Sequence, residues 1–301
     1  MSIESGTENP VSMTVPEQTR EQPYRLDGRM ERRAAGRLGE RAQVAVVTGA
    51  SSGIGRALAR QLAAENIRVG LIARRHDALD KVASQIKSEK GVAYAAAADV
   101  GDREALHRAV RAIEESLGPV DVMVANAGFG VPTRLDPLNI AEVEATFRVN
   151  LLGVIYSIET VLPTMLRRGA GQIVAVSSLA AEKGLPGESA YCASKAAVNV
   201  YLEGLRIAVR KRGITVTTIC PGFVDTTITP MDAAATPFQI SADQAARQIT
   251  RAILRRRQGV IRFPWPMAAL MTILRRLPDP LIARLVSHEI GEPATTRTMA
   301  G

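Results

Sequence analysis

The chain has 301 residues, of which 46% are hydrophobic and 23% charged, values typical of a globular protein that buries a sizeable core. Its two cysteines and three histidines are too few and too scattered to indicate a disulfide framework or a metal site, so we expect no metal and a reducing, cytoplasmic location. The formal net charge of +8 does not indicate nucleic-acid binding, because the basic residues are dispersed and an aromatic content of 4% leaves few rings for base stacking.

Residues 1–41 are polar, with mixed charges and without the apolar core of a signal peptide. They predict a flexible N-terminal extension, with a partner-binding arm as the alternative. From residue 42 to residue 263, apolar strand patterns alternate with amphipathic helix patterns, which indicates a single domain.

A glycine-rich turn follows the first predicted strand, residues 44–49. The sequence ASSGIG leads into an amphipathic helix over residues 54–66, and Gly49, Gly53 and Gly55 give the spacing G-x-x-x-G-x-G. Glycines between a strand and a helix let the backbone approach a phosphate, which the helix N-terminus then binds through its amides. This position makes the turn a candidate dinucleotide-binding loop.

The second predicted strand, residues 68–73, ends in two arginines. A dinucleotide fold that prefers NAD usually has an acidic residue at this strand end, but Ala73 stands there and Arg74 and Arg75 follow. A guanidinium suits the 2′-phosphate of NADP in charge and geometry. The pattern therefore favours NADP(H) over NAD(H), with a solvated basic turn as the alternative.

The same alternation continues along the chain. Helices are predicted at 77–90, 103–117, 140–168 and 189–212, and strands at 92–98, 120–128, 173–176 and 214–220. Strands that alternate with helices predict an α/β fold, a Rossmann-like doubly wound parallel sheet of about seven strands with helices on both faces. Asp99, Asn126, Ser178 and Pro221-Gly222 all follow strands, so we expect them at one edge of the sheet.

A polar trio follows the strand at 173–176. Tyr191 and Lys195 are four residues apart on a predicted helix, for which Ser189 is the expected cap, and Ser178 stands at the strand tip. A nearby ammonium lowers the pKa of a phenol, and a serine hydroxyl can donate a hydrogen bond to a developing oxyanion. The trio predicts proton transfer to a carbonyl oxygen. A core tyrosine, a surface lysine and a capping serine are the alternative for Y-x-x-x-K alone.

Seven motifs in order resemble the short-chain dehydrogenase/reductase family over residues 43–263. They are TGASSGIG from Thr48, DV at Asp99-Val100, NAG from Asn126, the asparagine of VNLLG at Asn150, VSS with Ser178, YCASK from Tyr191, and PGFVDT from Pro221. The resemblance implies a single Rossmann-like catalytic domain that exchanges hydride between a nicotinamide cofactor and a carbonyl or alcohol.

The resemblance also implies a role for each matching residue. Tyr191 would be the general acid and base, Lys195 would lower its pKa, Ser178 would position the carbonyl oxygen, and Asn150 would hold a relay water. The implied cofactor-binding residues are Thr48, Gly49, Ser51, Ser52, Gly53, Ile54, Gly55, Arg74, Arg75, Asp99, Val100, Asn126, Ala127, Gly128, Tyr191, Lys195, Pro221, Gly222, Val224 and Thr226. A homodimer or homotetramer is a further expectation from the resemblance.

The end of the chain departs from the family pattern. Residues 227–240 are the expected substrate loop, Ser241 the cap of a helix, and residues 259–263 a last strand. The tail at 264–301 begins with an uncharged run flanked by arginines, too short to span a membrane, and Pro278 and Pro280 divide it into two short helices. Packing as a lid or in an oligomer is favoured over peripheral membrane contact through 264–286.

These patterns together predict an NADP(H)-dependent oxidoreductase that acts on a ketone, aldehyde or secondary alcohol. The apolar residues of the substrate loop indicate a lipophilic small molecule as substrate, and ordinary packing of the loop on the core explains them equally well. A 3-oxoacyl thioester reductase is the enzymatic alternative, which the basic cluster at residues 255–257 leaves open. A non-catalytic NADP(H)-sensing protein is the alternative of another class, and it is disfavoured because all four catalytic residues are present.

Overall fold

Apolar runs of five or six residues form the centre of a parallel sheet. In the computed structural model, which describes residues 43–226 and 238–286, β1 (Val44–Thr48) is buried over its whole length. It pairs with β2 (Arg68–Ala73) on one side and β4 (Val122–Ala125) on the other. The strand order is β3-β2-β1-β4-β5-β6-β9, all parallel, with β3 (Ala93–Ala97), β5 (Gly171–Val176), β6 (Ile214–Pro221) and β9 (Gly259–Phe263). The predicted doubly wound sheet of seven strands is confirmed.

Helices cover both faces of this sheet. The core on one face includes buried residues of α1 (Gly53–Ala64), α2 (His76–Ser88) and α7 (Ala242–Leu254). The core on the other face includes buried residues of α3 (Arg103–Leu117), α5 (Gly153–Arg168) and α6 (Ser189–Ala208). This arrangement brings the carboxyl ends of the strands to a single edge, where ligands bind in such folds.

One long helical stretch, Ile140–Arg168, is long and apolar enough to cross a membrane by length and composition. It consists of α4 (Ile140–Phe147), a π turn (Arg148–Leu152) and α5. The buried residues of α5 belong to the core that packs on the sheet, which accounts for its apolar composition.

The segment after β9 folds back onto the loop that follows β5. Two helices, α8 (Trp265–Leu274) and α9 (Asp279–Val286), confirm the predicted division of the tail. Met267 and Met271 pack on Leu179, and Glu182 binds Arg262 at 2.8 Å and Arg275 at 3.2 Å. This part of the tail therefore packs against the chain directly after Ser178.

Two expectations for helix caps have different outcomes. Ser241 caps α7 in a reciprocal capping box with Gln244, as predicted. The prediction for Ser189 is wrong, since it is the first residue of α6 and the capping position belongs to Glu188, whose side chain makes no cap hydrogen bond. The predicted extension at 1–41, residues 227–237 of the substrate loop and the tail from 287 lie outside the described residues.

Candidate active site

The glycine-rich loop between β1 and α1 takes a conformation that requires glycine. Gly49 and Gly53 have φ angles of +67° and +50°. A Cβ on Gly55 would lie 2.2 Å from the carbonyl oxygen of Gly49, and one on Gly53 would lie 3.1 Å from Cγ2 of Thr226. The loop is therefore packed tightly against itself and against the segment that follows β6.

The N-terminus of α1 offers free backbone donors to this loop. Its first intrahelical bond runs from the amide of Arg56 to the carbonyl of Ser52, and the side chain of Ser52 makes no cap hydrogen bond. The amides of the first turn, from Gly53 to Gly55, thus have no acceptor within the helix. Such a terminus binds a phosphate through its amides and its dipole. Residues Ser51, Ser52, Gly53 and Ile54 consequently fit the pyrophosphate of a dinucleotide.

Thr48 ties the tips of β1 and β4 together. Its buried hydroxyl accepts hydrogen bonds from the amides of Asn126 and Ala127, each at 3.0 Å. The amide side chain of Asn126 donates to the carbonyl of Thr48 at 2.9 Å. Thr48 therefore fixes the two loops that flank the predicted cofactor cleft.

The end of β2 brings arginine to the glycine-rich loop. Arg74 and Arg75 are both exposed, and Nη2 of Arg75 lies 3.4 Å from Oγ of Ser51. At the end of β3, a carboxylate oxygen of Asp99 accepts from the amide of Gly101 at 2.9 Å, while Val100 is buried. A 2′-phosphate bound near Ser51 would thus meet the guanidinium of Arg75.

Ser178 and Tyr191 form the predicted proton-transfer pair. Ser178 follows β5, begins a short 3₁₀ turn (Leu179–Glu182) and accepts from the amide of Ala180 at 3.1 Å. Its hydroxyl is also hydrogen-bonded to the phenol of Tyr191. The twelve residues between them therefore loop back as predicted, and the two hydroxyls lie side by side.

Lys195 lies one turn after Tyr191 in α6. Its ammonium is 5.7 Å from the centroid of the Tyr191 ring and donates to the carbonyl of Val176 at 3.0 Å. The side chain is buried, which lowers the pKa of Lys195 to about 8. The hydroxyl of Ser177 donates to the carbonyl of Lys195 at 3.1 Å and so holds α6 to the end of β5.

The expected effect of Lys195 on the tyrosine is not seen in the structure. Burial raises the pKa of Tyr191 above its ordinary value, and the hydrogen bond with Ser178 opposes that rise. The charge of Glu188, three residues before the tyrosine, raises the pKa further. Desolvation therefore dominates the pKa of Tyr191 in the chain itself, where the ammonium of Lys195 is bound to the carbonyl of Val176. The lowering of the phenol pKa by Lys195 remains a prediction.

Asn150 is held in the π turn between α4 and α5. It is fully buried, its amide nitrogen donates to the carbonyl of Phe129 at 2.9 Å and to the hydroxyl of Ser194 at 3.0 Å, and its oxygen accepts from the amide of Phe129 at 3.0 Å. A Cβ on Gly128 would lie 3.0 Å from this oxygen and 3.1 Å from the ammonium of Lys195. Asn150 and Lys195 therefore meet beside Gly128, and the relay water remains a prediction.

The segment after β6 closes the other side of the cleft. The amide of Gly222 donates to the carbonyl of Phe263 at 2.7 Å. Val224 pairs with Ile240 in a two-stranded ladder of β7 (Val224–Asp225) and β8 (Ile240–Ser241). Thr226 lies next to Gly53 as described above. The structure thus brings every predicted site residue to the same edge of the sheet.

The sequence did not single out some residues of this edge. Ser194 supports Asn150, and a Cβ on Gly130 would lie 3.2 Å from the ring of Tyr191. Burial raises the pKa of the Glu188 carboxyl, which lies close enough to influence Tyr191. The position of Glu188 three residues before the tyrosine, on the same side of the helix start, was a signal that could have found it.

Metal-ligating side chains do not cluster in the described part of the chain. Residues 43–226 and 238–286 contain no group of three or more histidine, cysteine, aspartate or glutamate side chains that could hold a metal ion. The site consists of proton-transfer groups beside a loop suited to a dinucleotide.

Comparison with known proteins agrees with this arrangement. A family model described as short chain dehydrogenase matches residues 43–236. An uncharacterized oxidoreductase from Myxococcus xanthus is 35% identical over 239 residues, which is 79% of this chain and 94% of that protein. The ketoacyl reductase HetN from a Nostoc species is 30% identical over 210 residues, 70% of this chain and 73% of that protein.

Solved structures with the same fold contain nicotinamide cofactors. An alcohol dehydrogenase from Thermococcus sibiricus in complex with 5-hydroxy-NADP is 30% identical, with a TM-score of 0.67 over 74% of this chain and 96% of that one. A short chain dehydrogenase/reductase from Burkholderia phymatum in complex with NAD is 25% identical, with a TM-score of 0.71 over 79% of this chain and 96% of that one. Structural neighbours therefore bind either form of the cofactor.

Proposed function

Because the chain belongs to the short-chain dehydrogenase family and is an oxidoreductase of that family, we propose that it transfers hydride between NADP(H) and the carbonyl or secondary alcohol carbon of a lipophilic small molecule. The observation that carries the proposal is the contact between Ser178 and Tyr191, with the ammonium of Lys195 at 5.7 Å from the tyrosine ring. This set lies beside a loop that fits a pyrophosphate.

The bound nicotinamide supplies or accepts the hydride. The protein handles the proton. In reduction, Ser178 donates a hydrogen bond to the carbonyl oxygen, and Tyr191 gives its phenolic proton to the same oxygen as negative charge develops there. In oxidation, Tyr191 takes the proton back from the alcohol. Its raised pKa keeps the phenol protonated near neutral pH, which suits the role of acid.

Lys195 and Asn150 complete the proton-transfer set. The depressed pKa of Lys195, about 8, lets this side chain gain or lose a proton within the working pH range. Asn150 holds the backbone of Phe129 against α6, and this fixes the loop that carries Gly128 beside the ammonium. A water between Lys195 and solvent would return a proton to Tyr191 after each reduction.

The preference for NADP(H) is supported by the end of β2. Ala73 leaves no carboxylate to bind the ribose hydroxyls, and the guanidinium of Arg75 faces Ser51 of the glycine-rich loop. A guanidinium there stabilises a 2′-phosphate by a charge-assisted bidentate contact, which unphosphorylated NADH lacks.

Separate substitutions test this preference. Arg75→Gln and Arg74→Gln are each expected to raise the KM for NADPH, by about tenfold for a lost charge-assisted contact. The KM for NADH should stay within about twofold, which separates a lost phosphate contact from general damage. An equal rise in KM for both cofactors, or no rise in either variant, would contradict the assignment of these arginines to the 2′-phosphate.

Reduction of a 3-oxoacyl thioester is a second candidate function. The observation in its favour is the similarity to a ketoacyl reductase of comparable length. The carbonyl chemistry at Ser178 and Tyr191 would be the same, so only the substrate class distinguishes the two functions. Activity with 3-oxoacyl thioesters that exceeds activity with simple lipophilic ketones would favour this candidate.

A further inference from the structure

A cleft between α7 and β9 carries positive charge without a balancing acid. It encloses about 440 Å³, and its lining contains four arginines: Arg247, Arg251, Arg255 and Arg257. Its volume falls within the range of about 300–1,000 Å³ that small-molecule sites occupy. None of the lining residues is acidic. We name this site the arginine cleft.

The guanidiniums of the arginine cleft lack the ion pairs that some other surface arginines form. Arg60 is paired with Glu89 at 2.7 Å and Arg134 with Glu142 at 3.3 Å. Within residues 43–226 and 238–286, the four cleft arginines form no such ion pair. Arg256, between two of them, turns inward and donates to the carbonyl of Gly171 at 3.2 Å. The outward arginines are thus a separate set.

The spacing of these arginines places them in a row. Arg247, Arg251 and Arg255 are four residues apart, so they share one face of the helix and span about 12 Å along its axis. Like charges at this spacing destabilise a helix slightly. The helix dipole offsets the cost for Arg255 at the C-terminal end, but not for Arg247 in the middle. A multiply charged anion bound along the row would offset this repulsion for all three arginines.

A second copy of this chain does not fit as the occupant. A two-fold interface through this face would bring each arginine row against the arginine row of the partner. Like charges that face each other across an interface cost several kcal/mol. The site therefore calls for an anionic ligand, and the carboxamides of Gln244 and Gln248 add hydrogen-bonding groups to the same wall.

We propose that the arginine cleft binds a small molecule with several phosphate groups. Guanidinium forks match phosphate oxygens in pairs, and a row of about 12 Å suits a chain of linked or separated phosphates better than one ion. The ligand is either the phosphorylated arm of a thioester substrate, such as a coenzyme A thioester, or a free phosphorylated metabolite. The proposal concerns binding and does not depend on turnover.

Titration of the full-length chain with tripolyphosphate at physiological salt tests the binding. The double variant Arg251→Gln/Arg255→Gln is expected to raise the dissociation constant at least tenfold, since two charge-assisted contacts are lost. The double variant Arg111→Gln/Arg210→Gln removes two exposed arginines outside the arginine cleft and is the matched control for net charge. Arg74→Gln is the control for binding at the predicted cofactor site. Both controls should change the constant less than twofold.

Three results would overturn the proposal. The first is no measurable binding of tripolyphosphate to the parent chain. The second is an equal loss of affinity in Arg111→Gln/Arg210→Gln. The third is a loss of affinity in Arg74→Gln with none in Arg251→Gln/Arg255→Gln. The first means a solvated basic face, the second a net-charge effect, and the third binding at the cofactor loop. Because no step of this titration uses turnover, an inactive enzyme would leave its outcome unchanged.

Kinetics then distinguish the two sources of phosphate. If the ligand is the arm of the substrate, the double variant raises the KM for a 3-oxoacyl coenzyme A thioester about tenfold. The same acyl group on N-acetylcysteamine, which has no phosphate, keeps its KM. If the ligand is a free metabolite, tripolyphosphate binding is lost in the double variant while both thioesters keep their KM.

Discussion

Gly128 is the position where a single added methyl group tests the geometry of the site. An ideal Cβ at this residue lies 3.0 Å from the oxygen of Asn150 and 3.1 Å from the ammonium of Lys195. Both distances are a few tenths of an ångström shorter than ordinary contact. In Gly128→Ala, the two buried groups must therefore retreat from each other or the loop must move.

The displacement is expected to affect activity more than stability. Overpacking of this size costs about 1–2 kcal/mol of unfolding free energy. Misplacement of a catalytic group by up to an ångström can lower the rate about a hundredfold, so we expect kcat/KM to fall by about ten- to a hundredfold. Steady-state reduction assays and urea unfolding measure the two effects on the same preparation.

A matched variant separates this effect from the general effect of alanine. Gly204 lies in α6 with no atom within 4 Å of its ideal Cβ, so Gly204→Ala should raise stability by about 0.5–1 kcal/mol and leave kcat/KM unchanged. If Gly128→Ala keeps kcat/KM within twofold of the parent, Lys195 and Asn150 are not arranged around Gly128 as described.

Two further predictions concern buried charges. Because the pKa of Lys195 is about 8 in the folded chain and about 10.5 when unfolded, the unfolded chain binds the extra proton between these values. The free energy of unfolding of the wild type should therefore rise relative to that of Lys195→Met as pH rises from 8 to 10.5, by up to about 3 kcal/mol in urea unfolding. A difference between the two proteins that does not change with pH would contradict the buried lysine. Glu182→Gln should lower the free energy of unfolding by about 1–2 kcal/mol, because charge-assisted bonds to the half-exposed Arg262 and Arg275 are weakened. An unchanged free energy of unfolding would show that this pairing does not hold the tail.

The sheet was predictable from the sequence because burial on both faces gives near-continuous apolar runs. The bounds of β2, α3 and β9 agree with the predictions. The predicted strand at 120–128 is too long, because Asn126 to Gly128 leave the sheet. Asn126 bonds to Thr48 instead, and Gly128 lies against Asn150. Side-chain bonds of this kind compete with strand pairing and have no periodic signature.

The motifs predict the positions of the candidate site residues but not their interactions. They place Ser178 at a strand end and Tyr191 and Lys195 on the next helix, and the structure brings the three together. The π turn at Arg148–Leu152 was not predicted, because residues 140–168 were interpreted as a single α-helix. The direction of the Tyr191 pKa depends on desolvation, which a sequence does not report.

Contacts between distant parts of the chain could not be predicted from the sequence. Glu182 binds arginines 80 and 93 residues away, so its role in holding the tail follows only from the fold. The arginines of α7 have a readable four-residue spacing, whereas the contribution of β9 to the same cleft depends on the packing of α7 beside the edge strand.

Turnover of the cofactor by the purified chain tests the central claim most directly. NADPH and NADH would be compared with aliphatic, aromatic, steroidal and 3-oxoacyl carbonyl compounds, in the parent and in Tyr191→Phe. We expect faster oxidation of NADPH than of NADH with at least one carbonyl class, and a loss of activity of at least about a hundredfold in Tyr191→Phe, because the acid is removed. Tight NADPH binding without turnover of any class, or full activity in Tyr191→Phe, would contradict the central claim.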